Sequence, residues 1–393
     1  MKKTDRALIT VFLLLCMVFL SAVFAVQGSL LTAMIDAYRL PPSRQGLANT
    51  MAFAGGVLAL VCAFLMQGRQ RKRTLLKIAV AICAAGLVLM WIAPGYGLYT
   101  VAWFLTGFGL GLMDTLLSAC MADLYTGRQA VTMMCILHTA YGLSSVFSPM
   151  GYAGLLSAGT PWKTVYLFIA GAGLLILLGA LAVKHGLGIA DHEALAPGNT
   201  GSIARVLPAL KEGKLLWLVA AIFFHGIFLS GLNTWINRYA DSLGGSIAVP
   251  AQSCVFLGLM LSRLAMPFLP LKPEKYVAAG GLLGGIVLCI GLLIPNGWVL
   301  RIALIASSLL FGALIPCVLT IGCGRQPRNT LLATTGIMLA LYLGQAVSAP
   351  AIAALEATVG LRAGMLLCAL CMALCSLCCA ADAAGERRAA GKT

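Results

Sequence analysis

Twelve runs of mostly apolar residues, each close to the ~20 that a helix needs to cross the hydrocarbon core of a bilayer, account for nearly all of this chain. A segment surrounded by lipid has to satisfy its backbone hydrogen bonds within itself, so runs of this length predict transmembrane helices. Six lie at roughly Ala7 to Ala37, Gln45 to Met66, Thr74 to Ala93, Tyr99 to Leu124, Ala130 to Ser157 and Thr164 to Val183. Six more lie at roughly Leu215 to Ala240, Ile247 to Leu269, Tyr276 to Ile294, Val299 to Ile321, Thr330 to Glu356 and Ala363 to Ala383. A polar stretch, Lys184 to Lys214, with Asp191, His192, Glu193, Pro197, Gly198 and Asn199, separates the two sets. The expectation is an all-α integral membrane protein of twelve transmembrane helices in two pseudo-symmetric six-helix bundles. The bundles are 1–183 and 215–384, with a cytoplasmic linker at 184–214 and a cytoplasmic tail at 385–393.

Composition agrees with that reading. With 61% hydrophobic residues, 10% charged residues and a mean hydropathy of +0.97, a soluble fold of 393 residues cannot hide so much apolar surface. The net charge of +15 is then a topology signal rather than a nucleic-acid footprint. Only Arg39, Arg44, Lys163, Arg238, Arg301 and Arg362 fall at the odd-numbered connections; the remaining Lys and Arg lie at the termini, even connections and adjoining helix ends. By the positive-inside rule both termini and the linker face the cytoplasm, in a multi-pass protein of the cytoplasmic (inner) membrane. The first 25 residues also have the form of a signal peptide, with Lys2, Lys3, Arg6 and a Val23-Phe24-Ala25 cleavage site. They are read as an uncleaved first helix because the two-half pattern needs it.

The fourteen cysteines lie almost entirely in the apolar spans and read as free thiols serving as small apolar residues. The C-x-x-C spacing within Cys368, Cys371, Cys375, Cys378 and Cys379 has no histidine or carboxylate beside it, so neither a metal nor another cofactor is expected.

Asp114 and His138 stand out in the stretch Gly107 to Pro149. If the chain turns at the inner interface between Tyr125 and Ala130, each lies roughly 12 to 17 Å deep, and an ionisable group at that depth is functional by default. A carboxylate there can take a proton from one side and release it to the other. It can equally be structural, satisfied by Thr115, Ser118 or a neighbouring helix. His138 is its partner in proton coupling or a neutral hydrogen-bonding group. In the second half His225 lies about eleven residues past Lys214, again near mid-depth. Asn233 and Asn237 share a helix face in the seventh span. Trp235 is a belt anchor or a stacking platform for a sugar, and Arg238 reads as a snorkelling charge. Tyr342 and Gln345 place a phenol and an amide on one face of the eleventh span, which suits a hydroxylated ligand.

The fifth span reads YGLSSVFSP from Tyr141 to Pro149 and the eleventh YLGQAVSAP from Tyr342 to Pro350, at the same place in each half. Matching positions in hydropathy-matched halves favour a duplicated bundle.

On these residues the chain resembles the major facilitator superfamily, and within it fucose-permease-like and related sugar-porter-like members. GFGLGLMDTLLSACMADLY is similar to their fourth-helix pattern, LHTAYGLSSVFSP to their fifth, and FLGLMLSRLAMPFL, Phe256 to Leu269, to their eighth-helix G-x-x-x-G/S-R pattern. The resemblance implies a coupling or substrate-binding acid at Asp114 and a cytoplasmic, conformational role for Arg263 and for Arg69 in QGRQRKR. Three departures stand against it. The loop Gln67 to Arg73 has no aspartate, Gln27 is the nearest polar residue to the place of a first-helix acid, and Ser118 replaces an asparagine.

The expectation is a secondary active transporter that moves a small polar organic solute, sugar-like by preference, by alternating access with proton symport. Asp114 and His138 carry the proton. Tyr141, His225, Asn233, Trp235, Tyr342 and Gln345 bind the solute, and Arg69 and Arg263 act at the cytoplasmic gate. The alternative is proton-coupled efflux of amphipathic compounds, since Gly142, Pro149, Gly151 and Gly154 partly resemble the superfamily's antiporter signature. An enzyme is not expected, because no nucleophile–base cluster, zinc-ligand spacing or nucleotide loop is present. The partners expected are the solute, protons and lipid, with no nucleic acid, and the chain is expected to be a monomer.

Overall fold

The structure, a computed structural model, describes residues 3–66, 72–125, 127–182, 215–244, 247–269, 271–325 and 330–390. Arg69 and the linker expected at 184–214 lie outside these residues. The first half contains α1 (Lys3–Ser29), α2 (Leu31–Tyr38), α3 (Pro42–Gln45), α4 (Leu47–Met66), α5 (Lys72–Ile92), α6 (Tyr96–Leu124), α7 (Gly127–Ser157) and α8 (Thr164–Ala182). The second contains α9 (Leu216–Ser242), α10 (Ala251–Ala265), α11 (Pro273–Leu293), α12 (Gly297–Phe311), α13 (Leu314–Arg325), α14 (Thr330–Thr358) and α15 (Leu361–Ala390). Among the described residues nine helical spans are long and apolar enough to cross a membrane, and Thr164–Gly179 and Ala251–Ala265 are shorter apolar helices. With α7 these fill the twelve expected places.

Two compact units emerge, Met1–Tyr38 with Met51–Ser202, and Arg39–Thr50 with Ile203–Thr393. The division therefore falls within α4. Each unit is held together mainly by hydroxyl-to-carbonyl bonds and glycine contacts, the devices that join helices in lipid, where apolar surface alone gives no preference for one neighbour.

In the N-terminal unit α1 pairs with α7 through serines. Ser21 Oγ donates to the Tyr141 carbonyl at 2.8 Å, Ser144 Oγ to the Val18 carbonyl at 2.8 Å, and Tyr152 OH to the Ala22 carbonyl at 2.9 Å. Helix α6 meets α4 at Gly107, where a Cβ would sit 1.8 Å from the Ala52 carbonyl oxygen. Gly107→Ala should therefore push the two helices apart and cost about 1–3 kcal/mol, the usual penalty of overpacking. Thermal melting in detergent checks this against Gly151→Ala, since Gly151 has nothing within 4 Å of its Cβ position; equal melting of the two variants would remove the contact's importance.

In the C-terminal unit α9 crosses α14 at Gly226 and Gly344, whose Cβ positions lie 2.3 Å from the Leu341 carbonyl oxygen and 2.1 Å from that of Phe223. Ser348 Oγ donates across the same pair to the Ile227 carbonyl at 2.8 Å. Helix α11 lies against α15 through Gly281 and Gly285, which face the carbonyls of Met372 and Ala369. The described cysteines are all free, with Cys368, Cys371, Cys375, Cys378 and Cys379 buried along α15. Among the described residues no group of side chains is arranged to hold a metal ion.

The span read as continuous from Val299 to Ile321 is broken. Helix α12 ends at Phe311 and α13 starts at Leu314. The Ala313 N–H leaves the helical ladder and donates to Ser262 Oγ and Tyr276 OH, both at 3.1 Å, while Arg263 Nε donates to the Gly312 carbonyl at 3.2 Å. Side chains from α10 and α11 thus supply the partners that a broken helix in lipid must find.

Candidate functional site

The N-terminal unit holds Asp114 half-buried on α6, with His138 and Tyr141 half-buried and one turn apart on α7. Asp114 is ten residues before the end of α6, about 15 Å along the helix, which keeps it within the bilayer. The serine lacing described above fixes the face of α7 from which Tyr141 projects, because Ser145 also bonds Ser21, at 2.6 Å. Phe24 of α1 packs its ring 6.5 Å from that of Tyr141 and 6.0 Å from that of Phe53. Gln27 is buried on α1, and its Oε1 has no hydrogen-bond partner.

In the C-terminal unit His225 of α9 is fully buried, and neither ring nitrogen has a hydrogen-bond partner. Its ring sits 5.7 Å from Phe228 and 5.0 Å from Phe311, the last residue before the break in the tenth span. Tyr342 and Gln345 are both buried on α14, and Gly226, next in the chain to His225, meets the Gln345 amide. His225 and Gln345 are thereby carried by the two helices that cross most closely.

Asn233 and Trp235 have other surroundings. Asn233 Oδ1 accepts from Gln252 Nε2 at 2.7 Å, and Gln252 interlocks with Asn237, its Oε1 accepting from Asn237 Nδ2 at 3.1 Å and its N–H donating to Asn237 Oδ1 at 3.0 Å. This amide cluster joins α9 to α10. Trp235 is fully buried, with no bonded partner for its indole N–H, so it lies neither at an exposed belt position nor on an open face. Arg238, read as a snorkelling charge, instead pairs with Glu356 at 2.8 Å. Arg263 is in the clasp around the broken span.

Sequence reading missed Asn49, Ser230 and Thr234. Asn49 Nδ2 donates to Ser230 Oγ at 3.0 Å, Thr234 Oγ1 donates to Asn49 Oδ1 at 3.2 Å, and Thr50 Oγ1 donates to the Ala346 carbonyl at 3.0 Å. These bonds join residues 39–50 to α9 and α14. The signal that could have found them is an amide inside an apolar span, which needs a partner there as much as a charge does.

With this architecture in view, comparison with known proteins is direct. The Major Facilitator Superfamily profile matches residues 13–341. The chain belongs to the major facilitator superfamily, a family of membrane transporters rather than enzymes. Among curated relatives, Protein TsgA of Salmonella arizonae is 25% identical over 253 residues, covering 63% of this chain and 61% of TsgA. The chain thus spans about three-fifths of the length of the relatives it matches. Among solved structures, a bacterial homologue of the human lysosomal transporter Spinster has a TM-score of 0.75 at 13% identity, over 98% of this chain and 96% of its own. The fucose:proton symporter FucP of E. coli has a TM-score of 0.67 at 18% identity, over 95% and 99%. At these identities the likeness is one of fold.

Proposed function

We propose that this protein is a secondary active transporter that moves a small polar, hydroxyl-bearing solute across the cytoplasmic membrane by alternating access, in symport with protons. The observation that carries the reading is Asp114, an acidic side chain half-buried about 15 Å inside the fourth span, with His138 and Tyr141 on the helix that follows. A carboxylate so placed can bind a proton and exchange it as its access changes, which is what coupling needs. The resemblance to FucP, a fucose:proton symporter, supports a sugar-like solute. Buried Gln345 and Tyr342, with phenol and amide three residues apart, are the hydroxyl-recognising groups of the C-terminal unit. His225 joins them there, whereas Asn233 is committed to Gln252 and holds α9 against α10.

The test is counterflow and gradient-driven uptake by the purified protein in proteoliposomes, against sugars, organic acids and amphipathic drugs. Counterflow of a hydroxylated solute, with accumulation under an inward proton gradient, is the expected result. Movement of amphipathic drugs alone, driven outward, would replace it with the efflux reading.

A further inference from the structure

The strongest unexplained feature outside the proton site is the imidazole of His225. Buried polar atoms in folded proteins nearly always have a partner, and an intramembrane ionisable residue without one is the more unusual. His225 has two such atoms. No water can reach either from the surface, and the rings of Phe228 and Phe311 lie against it.

The cover over this imidazole is also the least secure part of the C-terminal unit. Phe311 ends α12, and the next two residues are held by side chains instead of by the helix itself. Bonds from Ser262, Tyr276 and Arg263 can be exchanged one at a time without unwinding either half-helix, so the break is suited to act as a hinge. Gly312 is required at that point, because a Cβ there would lie 2.7 Å from Leu259 Cα. Arg263, one of the clasp residues, is also within electrostatic reach of the imidazole.

We propose that His225 is a solute-binding group, covered by Phe311 in this state and uncovered when the tenth span bends at Gly312–Ala313. When Phe311 moves away, the imidazole N–H donates to an oxygen of the solute, whose carbon framework lies against Phe228. The solute class is an oxygen-rich molecule with an apolar face, a hydroxylated ring among them. Binding and bending are then one event, and the Ser262–Tyr276 clasp sets how often the site opens. The assignment rests on the transporter reading, but the hinge itself can be tested without any solute.

The first experiment is labelling of the full-length protein in liposomes with diethyl pyrocarbonate, read at the His225 peptide by mass spectrometry. Wild-type His225 should label slowly. Ser262→Ala and Tyr276→Phe should each accelerate labelling by roughly three- to tenfold, the effect of one lost hydrogen bond on an opening equilibrium. Rates unchanged in both variants, with melting temperatures near wild type, would overturn the hinge. The second experiment uses His225→Leu and His225→Gln. Leucine removes two unpartnered atoms, so its melting temperature should equal or exceed wild type while counterflow of the solute carried by wild type is lost, and glutamine should restore part of it. A His225→Leu protein that melts lower yet transports normally would make His225 a core residue. If the wild type moves no solute at all, the transporter reading fails, while the labelling comparison still decides the hinge.

Discussion

Asp114→Asn should end solute accumulation while leaving exchange of solute across the membrane intact. The substitution keeps the shape of the side chain and removes its titration. One proton moving down ~100 mV of membrane potential supplies about 2.3 kcal/mol, enough for roughly fiftyfold accumulation of a coupled solute. Without the titrating group, uptake under the same gradient should fall to simple equilibration. The comparison is accumulation against counterflow for the purified variant, with its melting temperature measured alongside. A structural aspartate gives another pattern, because leaving buried partners unpaired costs about 1–3 kcal/mol and appears as poor folding. Normal gradient-driven accumulation by a well-folded Asp114→Asn would exclude Asp114 as the carrier and leave His138 as the candidate.

The second large effect is expected at the other end of the chain. Arg325 at the end of α13 makes a two-pronged bond to Asp382 of α15, at 2.8 Å to one carboxylate oxygen and 2.6 Å to the other. Their side chains are only 17% and 6% exposed, so breaking the pair strands a charge away from water. Asp382→Ala should cost about 3–5 kcal/mol and lower the melting temperature by several degrees. Replacing both residues by apolar ones of similar size, Asp382→Leu with Arg325→Met, should recover much of the loss, since the cost lies in the unpaired charge. A single Asp382→Ala variant that melts like wild type would show that the pair contributes little.

The spans were legible because a run of about twenty apolar residues has one structural outcome in lipid. Asp114 was legible for the same reason, since a charge in such a run cannot pass unnoticed. What the sequence hid are features whose cause lies on another helix. The break at Gly312–Ala313 sits in an unbroken apolar run, and its partners Ser262 and Tyr276 are 51 and 37 residues from Ala313. Glu356, the partner of Arg238, is 118 residues away in the chain. Trp235 reads as interfacial from its place near a span end, but its burial is decided by the helices around it. Neutral amides such as Asn49 and Gln252 barely lower the hydropathy of a span, although each organises several hydrogen bonds.

The serine bonds between α1 and α7 and between α9 and α14 have a practical consequence for experiments on this protein. A hydroxyl donating to a carbonyl carries no charge, so neither acid, alkali nor ionic strength weakens it over the range in which liposomes survive. The helix pairs bearing Asp114's neighbours and His225 should hold their geometry while the medium is varied. A transport-versus-pH curve will therefore be read as the titration of a few working side chains rather than as the onset of unfolding.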